Sequence, residues 1–445
     1  MLDAPSADAR WNALIDDVVA GRWVDPETGK MASLPFDTIL LTETTEGREA
    51  DLVAPLGLGK RIAVVSDANT VDVMGSRVAR ALREIATVDE VVMPADIECD
   101  EATIAAIGER TRHADGVVAV GSGVLNDSCK HATFLDGRRY AVFGTAASMN
   151  GYGASTASVT LRSGLKTSLP SHAPRGIFLD LAVSAAAPTW LSAAGLGDSL
   201  CRSTAQVDWW ASHRLFGTYY STTPYALQAA DEPAMYETAA GIATHDFEAN
   251  GVLQRVLTLT SIGVCFTHVS HHGSMGEHQI SHWLDMFAGN AHPGTVHGQQ
   301  VGVASLVMAR LQAMILAMPT PPKVKATIVD EAAMKRRYGE ELGALCITEM
   351  RKTAMDARAA DAFNEKLADL WPTLRRELEP MQMSVATMEA ALAAAGGPTT
   401  GEALGVPRAV WHDAIRYSRE IRGRWSFVNL AADAGLLEDF LEGEH

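Results

Sequence analysis

Residues 61–127 read RIAVVSDANTVDVMGSRVARALREIATVDEVVMPADIECDEATIAAIGERTRHADGVVAVGSGVLND and decide the fold. Short apolar runs rich in β-branched residues alternate here with stretches of helical periodicity, in the order 62–66, 71–85, 88–93, 102–112 and 117–121. Strands that alternate with helices form a parallel sheet, because each crossover helix packs on the sheet and returns the chain in the same direction. The stretch therefore predicts a mostly parallel α/β domain.

The same pattern extends to both sides of this stretch. Apolar runs at 38–42 and 140–144 predict two more strands, and residues 158–179 have a hairpin-like pattern. Beyond about residue 182 the strand pattern ends, and alanine- and leucine-rich helical stretches continue to the C-terminus. We therefore predict an α/β dinucleotide-binding domain over residues 1–182 and an all-helical domain, for metal and substrate, over residues 183–445.

Composition restricts the classes of partner. The chain has 445 residues, 47% of them hydrophobic, and a formal net charge of -17. This charge disfavours nucleic acid and anionic membranes, because both bind to basic surfaces. We expect a small-molecule substrate, and the apolar helical half can supply the interface of a homo-oligomer.

Localisation is predicted from what the sequence lacks. The five cysteines are widely spaced, with no CxxC pair and no disulfide framework. No apolar run approaches the roughly 18 residues that span a bilayer. The N-terminal MLDAPSADARW lacks the basic segment followed by an apolar segment that is typical of a secretion signal. We expect a cytoplasmic protein with reduced thiols.

A glycine-rich turn follows the apolar run that ends at residue 121. It consists of Gly121, Ser122 and Gly123, and the next helix opens with Val124, Leu125, Asn126 and Asp127. Glycines let the backbone approach a ligand closely, and the N-terminus of a helix offers unpaired N–H groups to a phosphate. The turn is a candidate for binding a cofactor pyrophosphate, although a tight turn before any helix has the same sequence.

Two further turns are candidates for cofactor contacts. Asp67 follows the run 62–66, where a carboxylate can accept hydrogen bonds from both ribose hydroxyls and repel a 2′-phosphate, which favours NAD over NADP. After the run 140–144, the hydroxyls of Thr145 and Ser148 lie among small residues that leave room for a flat ring. A plain polar loop is the alternative for this second turn.

Residues 275–301, MGEHQISHWLDMFAGNAHPGTVHGQQV, are rich in histidine. His278 and His282 are four residues apart and share one face of a predicted helix, so both imidazoles can point to one place. His297 can approach the same place from a second helix. Histidine is a frequent metal ligand, whereas a pair at this spacing is also common on solvated or core faces of helices.

A metal site also needs a carboxylate. Glu277 does not complete the H-E-x-x-H pattern of a metalloprotease, because it precedes the first histidine and lies on another face of the helix. Asp198, in AAGLGDSL, is the first candidate, although its position after a glycine at a predicted helix start is also that of a helix cap. Asp208, beside two tryptophans, is the second candidate.

A series of short motifs runs along the chain: GSGVLND, TAASMNGYGAS, KTSLPSHAP, AAGLGDSL with VDWW, MGEHQISHWLD, VHGQQVGVAS and IRGRWSFVNLAADAGLLE. In this order the motifs resemble those of the glycerol-1-phosphate dehydrogenases, which belong to the superfamily of iron-containing alcohol dehydrogenases and dehydroquinate synthases. The resemblance covers roughly residues 38–440. It implies a dehydroquinate synthase-like fold and a metal-dependent, NAD(P)-linked dehydrogenase that interconverts a polyol phosphate of the glycerol 1-phosphate type and its ketone by hydride transfer.

The resemblance also implies roles for individual residues. In the family, a divalent metal is bound by the aspartate of the GD motif and by the histidines of the EH and HG motifs. These ligands correspond to Asp198, His278 and His297. The histidine that corresponds to His282 faces the substrate and does not bind the metal.

Residues 121–127 and 145–148 correspond to segments that contact the cofactor in the family. Two positions depart from the family pattern. Asn150 stands where members commonly carry an aspartate that holds a substrate hydroxyl, and Ala154 stands where serine is expected, so that Ser155 beside it becomes the candidate cofactor contact. Asparagine keeps the hydrogen bonding but not the charge, which leaves another polyol or a phosphonate as alternative substrates.

The expected chemistry follows from the ligand set. One carboxylate and two imidazoles leave open positions on a metal, as in catalytic zinc sites. Zinc is our first choice, with nickel or iron as alternatives. His282 is the candidate for fixing a substrate hydroxyl or relaying its proton. For a substrate phosphate, the candidate cations are Lys130, Arg162 and Lys166.

Two other classes of function remain open at this point. A dehydroquinate synthase-like cyclising lyase uses the same cofactor and metal but returns the hydride within one turnover. Its first metal ligand is usually glutamate, whereas this chain has Asp198. A non-catalytic nucleotide-binding protein with the same fold would be expected to have lost a metal ligand.

Overall fold

The structure is a computed structural model that describes residues 8–444. It divides into two compact units. The first comprises the described residues up to Arg162, Lys166–Gly195 and Thr222–Val269, and the second comprises Ser163–Leu165, Leu196–Ser221 and the described residues from Ser270 onward. A compact unit is not necessarily an independent domain, so the predicted boundary between residues 182 and 183 stays a prediction.

Eight strands lie in the first unit. They are β1 (Thr38–Thr42), β2 (Arg61–Asp67), β3 (Thr87–Met93), β4 (Gly116–Gly121), β5 (Arg139–Gly144), β6 (Thr156–Thr160), β7 (Lys166–Pro170) and β8 (Gly176–Asp180). Six of them form one parallel sheet in the order β1-β8-β5-β4-β2-β3. The other two, β6 and β7, form an antiparallel hairpin.

The remaining regular structure is helical. The α-helices are α1 (Ala9–Val19), α2 (Glu49–Val53), α3 (Ser76–Leu82), α4 (Glu101–Thr111), α5 (Gly123–Asp136), α6 (Leu181–Ala186), α7 (Thr189–Phe216), α8 (Thr223–Gln228), α9 (Glu232–Ile242), α10 (Phe247–Thr267), α11 (Gly276–Phe287), α12 (His297–Leu316), α13 (Glu331–Tyr338), α14 (Glu340–Arg351), α15 (Ala357–Leu378), α16 (Val385–Ala394), α17 (Arg408–Tyr417), α18 (Phe427–Ala434) and α19 (Leu437–Glu442). Within the described residues, no helix is both long and apolar enough to cross a bilayer.

The central strands are apolar along their whole length because the sheet is buried on both faces. In β4, Val117 and Ala119 belong to one hydrophobic core, whereas Val118 and Val120 belong to another. Successive side chains of a strand point to opposite faces, so two cores must flank this strand. The predicted combination of a parallel α/β region and a helical C-terminal region is confirmed.

The order of the strands reverses between β2 and β4. From β2 the chain goes to β3 on one side and then returns to β4 on the other side. Open α/β sheets bind ligands at such a switch point, beside the carboxyl ends of the strands. Asp67 ends β2 and Gly121 ends β4, so the two predicted cofactor turns flank this point.

Two predicted elements were wrong in detail. Residues 158–179 do not form one hairpin, because the chain leaves β7 and enters the main sheet as β8, where apolar residues 177–179 are buried between β1 and β5. The predicted helix over 71–85 begins as a π-helical turn, Val71–Gly75, and becomes α-helical as α3. A Cβ at Gly75 would lie 2.9 Å from the Cβ of Ser66, so this turn packs tightly on β2.

The second unit is a helical bundle with a single large hydrophobic core. Residues of α7, α11 and α12 contribute to this core together with residues of α13, α14, α15, α17, α18 and α19. Trp411 and Phe427 are among its fully buried side chains. The three helices that carry the predicted metal ligands therefore belong to the same packed body.

Candidate functional site

The glycine-rich turn at the end of β4 is shaped by close packing. A Cβ at Gly121 would lie only 2.4 Å from Leu125 Cδ1, so a larger residue would force the Leu125 side chain to move. Ser122 is extended and precedes α5 without capping it through its side chain. The first N–H groups of a helix have no partner within the helix, so this N-terminus is suited to an anionic group.

Asp67 lies in a tight turn beside this helix. Its Oδ1 accepts hydrogen bonds from the backbone N–H groups of Asn69 and Thr70, both at 2.9 Å. The hydroxyl of Thr70 lies 3.0 Å from the carbonyl oxygen of Val120 and so connects this turn to the end of β4. All three of these side-chain contacts, including the hydroxyl of Thr70 at 2.9 Å, are made by Asp67 Oδ1, and Oδ2 accepts no hydrogen bond from the described residues.

The C-terminal part of the predicted phosphate segment makes internal contacts instead. Asn126 is buried and donates to Asp127 Oδ1, while Asp127 Oδ2 accepts from the backbone N–H of Ser158. Lys130 is fully buried, and its ammonium group donates to Asp127 Oδ1 and to the carbonyls of Gly151 and Thr156. Because an ammonium has three donors, Lys130 has none left for a substrate phosphate.

The loop after β5 is fixed to the glycine-rich turn. The N–H of Thr145 donates to the carbonyl of Gly121 at 3.2 Å, and the hydroxyl of Tyr152 lies 3.3 Å from the same carbonyl and 3.0 Å from that of Ala146. Thr145 is buried, whereas three other candidates in the loop, Ser148, Asn150 and Ser155, are partly exposed.

The predicted metal ligands come from three helices of the second unit. Asp198 lies in the middle of α7, His278 on the first turn of α11, and His297 is the first residue of α12. The expected helix start at Asp198 was wrong. The preceding glycines are explained by packing, because a Cβ at Gly197 would lie 2.4 Å from the carbonyl oxygen of Gly298 in α12.

The three side chains converge on one buried place. His278 Nε2 lies 3.6 Å from Asp198 Oδ1, and one ligand atom from each of Asp198, His278 and His297 lies within 4.8 Å of the other two. Two tetrahedral ligands at zinc, each about 2.1 Å away, are separated by about 3.4 Å. The spacing and the donor set therefore fit a divalent metal.

His278 is oriented by its neighbour in sequence. Glu277 is fully buried, and its Oε1 lies 3.0 Å from His278 Nδ1 while accepting the N–H of Met275 at 2.6 Å. A carboxylate on Nδ1 fixes the tautomer in which Nε2 has a lone pair, as is common for metal-binding histidines. The sequence interpretation missed this function of Glu277.

His297 has a matching support. The hydroxyl of Ser281 donates to Gln300 Oε1 at 2.8 Å and lies 3.0 Å from His297 Nδ1. Since the single hydroxyl proton is directed to Gln300, Ser281 accepts the proton of His297 Nδ1. This arrangement leaves the lone pair on Nε2, the atom that a metal needs.

His282 is close to the cluster and separate from it. Its ring centroid is 6.0 Å from that of His278 and 5.4 Å from that of His297, and the side chain is buried. It is not part of either candidate ligand group. His292 instead contacts Asp285 and Gln300, in the hydrogen-bond network that supports α12.

A second candidate ligand group shares His278. It consists of Cys201, Glu277 and His278. The Cys201 thiol donates to the carbonyl of Asp198 at 2.9 Å, and Glu277 Oε1 is already in contact with the N–H of Met275 and with Nδ1 of His278. We therefore favour the group that contains Asp198 and His297.

Asp208 has a structural function. Its Oδ1 accepts the N–H of Phe427 and the side-chain N–H of Gln312, both at 3.0 Å, and its Oδ2 accepts the N–H of Gly276 at 3.2 Å. Burial, followed by the nearby charge of Glu277, raises the pKa of Asp208 to about 8. This carboxyl holds the N-termini of α11 and α18 and lies in neither ligand group.

A family model matches part of the chain. Residues 41–188 match the model described as iron-containing alcohol dehydrogenase. This region includes the whole parallel sheet except the first three residues of β1.

Curated relatives cover more of the chain. A glycerol-1-phosphate dehydrogenase (NAD(P)+) of Methanoculleus marisnigri is 30% identical over 63% of this chain and 76% of its own length. A protein of the same name from Bacillus velezensis is 27% identical over 82% of this chain and 84% of its own length. The second match extends through most of both units.

Solved structures share the fold at low sequence identity. The glycerol dehydrogenase of Schizosaccharomyces pombe aligns over 92% of this chain and 90% of its own, with a TM-score of 0.60 and 15% identity. The maleylacetate reductase of Agrobacterium tumefaciens aligns over 93% and 97%, with a TM-score of 0.60 and 17% identity. These likenesses concern the fold alone.

Proposed function

Because this chain belongs to the glycerol-1-phosphate dehydrogenase family of the iron-containing alcohol dehydrogenases, we propose that it interconverts a polyol phosphate of the glycerol 1-phosphate type and its ketone with NAD(P). The observation that carries the proposal is the convergence of buried Asp198 and His278 with half-buried His297 in one cluster. Three protein ligands that leave open positions on the metal are typical of a catalytic metal site. A protein that binds no metal would not need these three side chains to converge.

Each residue of the cluster has a defined task in the proposed reaction. Asp198, His278 and His297 hold one divalent metal, with zinc as the first choice because imidazole and carboxylate suit it. Glu277 and Ser281 keep the two imidazoles in the tautomer that exposes Nε2. When bound, the metal supplies Lewis acidity to a substrate oxygen and the nicotinamide accepts or donates the hydride.

Two residues are proposed to act on the substrate. His282 is buried beside the ligand cluster, where its imidazole can hold a substrate hydroxyl or move its proton. Asn150 lies in the partly exposed loop after β5 and can hydrogen-bond a hydroxyl without adding charge. With asparagine at this position, other phosphorylated polyols and phosphonates belong in any substrate test.

The cofactor contacts are proposed for the switch point of the sheet. The N-terminus of α5, from Gly121 to Asp127, takes the pyrophosphate. Thr145, Ser148 and Ser155 contribute hydroxyls to the nicotinamide side. Asp127 supports this site indirectly, because its Oδ1 accepts a hydrogen bond from Lys130 and its Oδ2 accepts one from the backbone of Ser158 in the β6–β7 hairpin.

Replacing Asp67 by asparagine is expected to raise the preference for NADP. Asparagine keeps the Oδ1 acceptor that holds Asn69 and Thr70, whereas glycine would also destroy the turn. Loss of the negative charge removes the repulsion of a 2′-phosphate, so the kcat/KM ratio of NADP to NAD should rise roughly 10-fold.

The matched control for this change is Asp51→Asn, which removes one exposed carboxylate of α2 in the same unit. It should leave the cofactor ratio as in the wild type. An unchanged ratio in Asp67→Asn would show that Asp67 does not lie at the ribose.

A substrate panel tests the proposed function. Chelated protein is reloaded with zinc, nickel or iron, and NADH or NADPH formation is measured with glycerol 1-phosphate, glycerol 3-phosphate, a longer polyol phosphate and glycerol. We expect metal-dependent turnover of a phosphorylated polyol. Turnover of unphosphorylated alcohols only, or no net reduction of either cofactor by any polyol, would contradict the proposal.

We also propose a homo-oligomer in the cytoplasm. All five cysteines are free thiols in the structure, as in proteins of a reducing compartment. Exposed large apolar side chains such as Leu135, at 67% exposure, are available for contacts between copies.

A further inference from the structure

Two arginines of the motif IRGRWSF lie beside the helix that carries His278. The carbonyls of Arg422 and Arg424 accept hydrogen bonds from the side-chain N–H group of Gln279, at 3.2 and 3.0 Å. Gln279 follows His278 directly in α11 and is fully buried. The backbone that bears both guanidinium groups is therefore held against the metal-binding helix.

Both guanidinium groups are directed to the segment that precedes α11. Arg424 Nη1 donates to the carbonyl of Ser274 at 2.5 Å, and its Nη2 donates to the hydroxyl of Ser270 at 3.1 Å. Arg422 Nη1 donates to the hydroxyl of Ser274 at 3.3 Å. Two positive charges and two hydroxyls thus meet at one short segment, residues 270–274, which we call the arginine site.

The charge of Arg424 has no direct counter-ion. No carboxylate among residues 8–444 forms an ion pair with this guanidinium, which donates to a carbonyl and to a hydroxyl. Burial, and then repulsion by Arg422, lowers the pKa of Arg424, while Glu277 opposes this shift from a distance. A buried charge that lacks a partner is costly, and an anionic ligand would compensate it.

A neutral histidine borders the same place. The Nδ1 of His271 is buried and has no hydrogen-bond partner among the described residues, and the ring packs on Trp209 with centroids 5.5 Å apart. Burial, followed by Arg424 and Arg422, lowers the pKa of His271 to about 2. An uncharged imidazole with an unused ring nitrogen can serve as a further polar contact for a ligand.

The arginine site and the metal cluster share a short piece of chain. The Sγ of Cys201, one turn after Asp198 in α7, lies 3.3 Å from the carbonyl oxygen of Gly273. Gly273 precedes Ser274, and the chain enters α11 at Gly276. Residues 270–274 are thus linked to the segment of Asp198 through Cys201 and to His278 through the start of α11.

We propose that Arg422 and Arg424, with Ser270 and Ser274, bind the phosphate group of the substrate. The inference rests on the proposed function for the identity of that substrate, whereas the anion site itself does not depend on it. Arginine binds phosphate through two N–H groups at once, and both arginine residues are half-buried. Lys130, one of the three candidate cations from the sequence, uses its three N–H donors within the protein.

The test uses Arg424→Gln and Arg424→Lys in the full-length, metal-loaded protein. The glutamine variant should raise the KM for glycerol 1-phosphate roughly 30-fold or more, because a charge-assisted contact is lost. Its kcat/KM for glycerol and its metal content should stay near the wild-type values. The lysine variant should restore part of the loss, since it returns the charge without the planar fork.

A direct binding measurement separates this inference from the proposed function. Inorganic phosphate is titrated calorimetrically into the wild type, Arg424→Gln and the control Arg358→Gln, which removes one exposed charge from α15. Binding by the wild type and the control, and its loss in Arg424→Gln, supports the site even if no polyol phosphate is turned over. Equal phosphate binding by all three proteins would overturn it.

A structural role has a different signature. If Arg424 only holds the segment before α11, Arg424→Gln should lower metal content and the turnover of glycerol and glycerol 1-phosphate to the same extent, and this result would also overturn the inference. Arg422→Gln provides the second variant should Arg424→Gln fail to fold, with the same expected selective loss of phosphate binding.

Discussion

Replacement of His297 by alanine is expected to remove the bound metal and the turnover together. The imidazole supplies one of the three ligand atoms that lie within 4.8 Å of one another, and its Nδ1 is already occupied by Ser281. Two remaining ligands hold a divalent ion far more weakly than three. Loss of Lewis-acid stabilisation is worth several kcal/mol, so turnover should fall at least about 1,000-fold.

The matched control is His282→Ala, which removes a buried imidazole from the same helix face as His278. Metal content, measured by mass spectrometry of the dialysed protein, should stay stoichiometric in this variant, while turnover falls about 100-fold or more through loss of proton transfer. If His297→Ala retains its metal, or if His282→Ala loses it, the ligand assignment is wrong.

Replacement of Gly197 by alanine is expected to separate the helices that carry the ligands. The new Cβ would lie 2.4 Å from the carbonyl oxygen of Gly298 and 3.1 Å from the Cα of Gly302. Both of the atoms that the new Cβ would clash with are backbone atoms of α12. The clash can therefore be removed only if α7 and α12 move apart. Asp198 and His297 are the immediate neighbours of these glycines, and the distance between the two ligands would increase.

Two measurements check this expectation. Overpacking of this kind costs about 3 kcal/mol of the free energy of unfolding, and a ligand displaced by about 1 Å lowers turnover roughly 100-fold. Thermal unfolding and metal affinity should therefore decrease together. The control Gly108→Ala places the same methyl group on α4, where nothing lies within 4 Å, and should be neutral or slightly stabilising.

The account of the α7–α12 crossing would be contradicted by a Gly197→Ala protein that matches Gly108→Ala in melting temperature and the wild type in metal affinity. Such a result would mean that the two helices tolerate a wider separation without loss of the site.

The sheet was largely predictable because its strands are buried on both faces. Runs such as the one ending at Gly121 are continuously apolar, and their boundaries differ from the observed ones by about a residue. β8 was missed as a separate strand because its partners, β1 and β5, are distant in sequence. Its local pattern resembles the preceding hairpin, and only the tertiary pairing distinguishes the two.

The local environment of Asp198 could not be predicted from its flanking residues. Glycines beside an aspartate are the usual pattern of a helix start, whereas here they permit contact between two helices. Asp208 is equally buried and only three helical turns away on α7, and its sequence gives no reason to reject it. The structure separates the two through their partners, since Asp208 accepts three hydrogen bonds that hold helix ends.

The residues that support the metal ligands and form the arginine site could not be predicted from the sequence either. Glu277 adjoins His278, but neighbouring residues of a helix usually face different directions, so its contact with Nδ1 depends on the turn at Met275. The motif IRGRW had no function assigned from the sequence, because the placement of Arg424 beside Ser270 depends on how α17, which precedes the motif, packs on α11. Arg424 and Ser270 are 154 residues apart, and a contact at this separation has no pattern in the local sequence that could predict it.

Anomalous X-ray scattering from zinc-loaded crystals tests the central claim most directly. Data collected on both sides of the zinc absorption edge should give one strong peak per chain, bonded to a carboxylate oxygen of Asp198 and to Nε2 of His278 and His297 at about 2.0–2.2 Å. A peak bound instead by Cys201 and Glu277, or no peak among the three side chains, would contradict the claim.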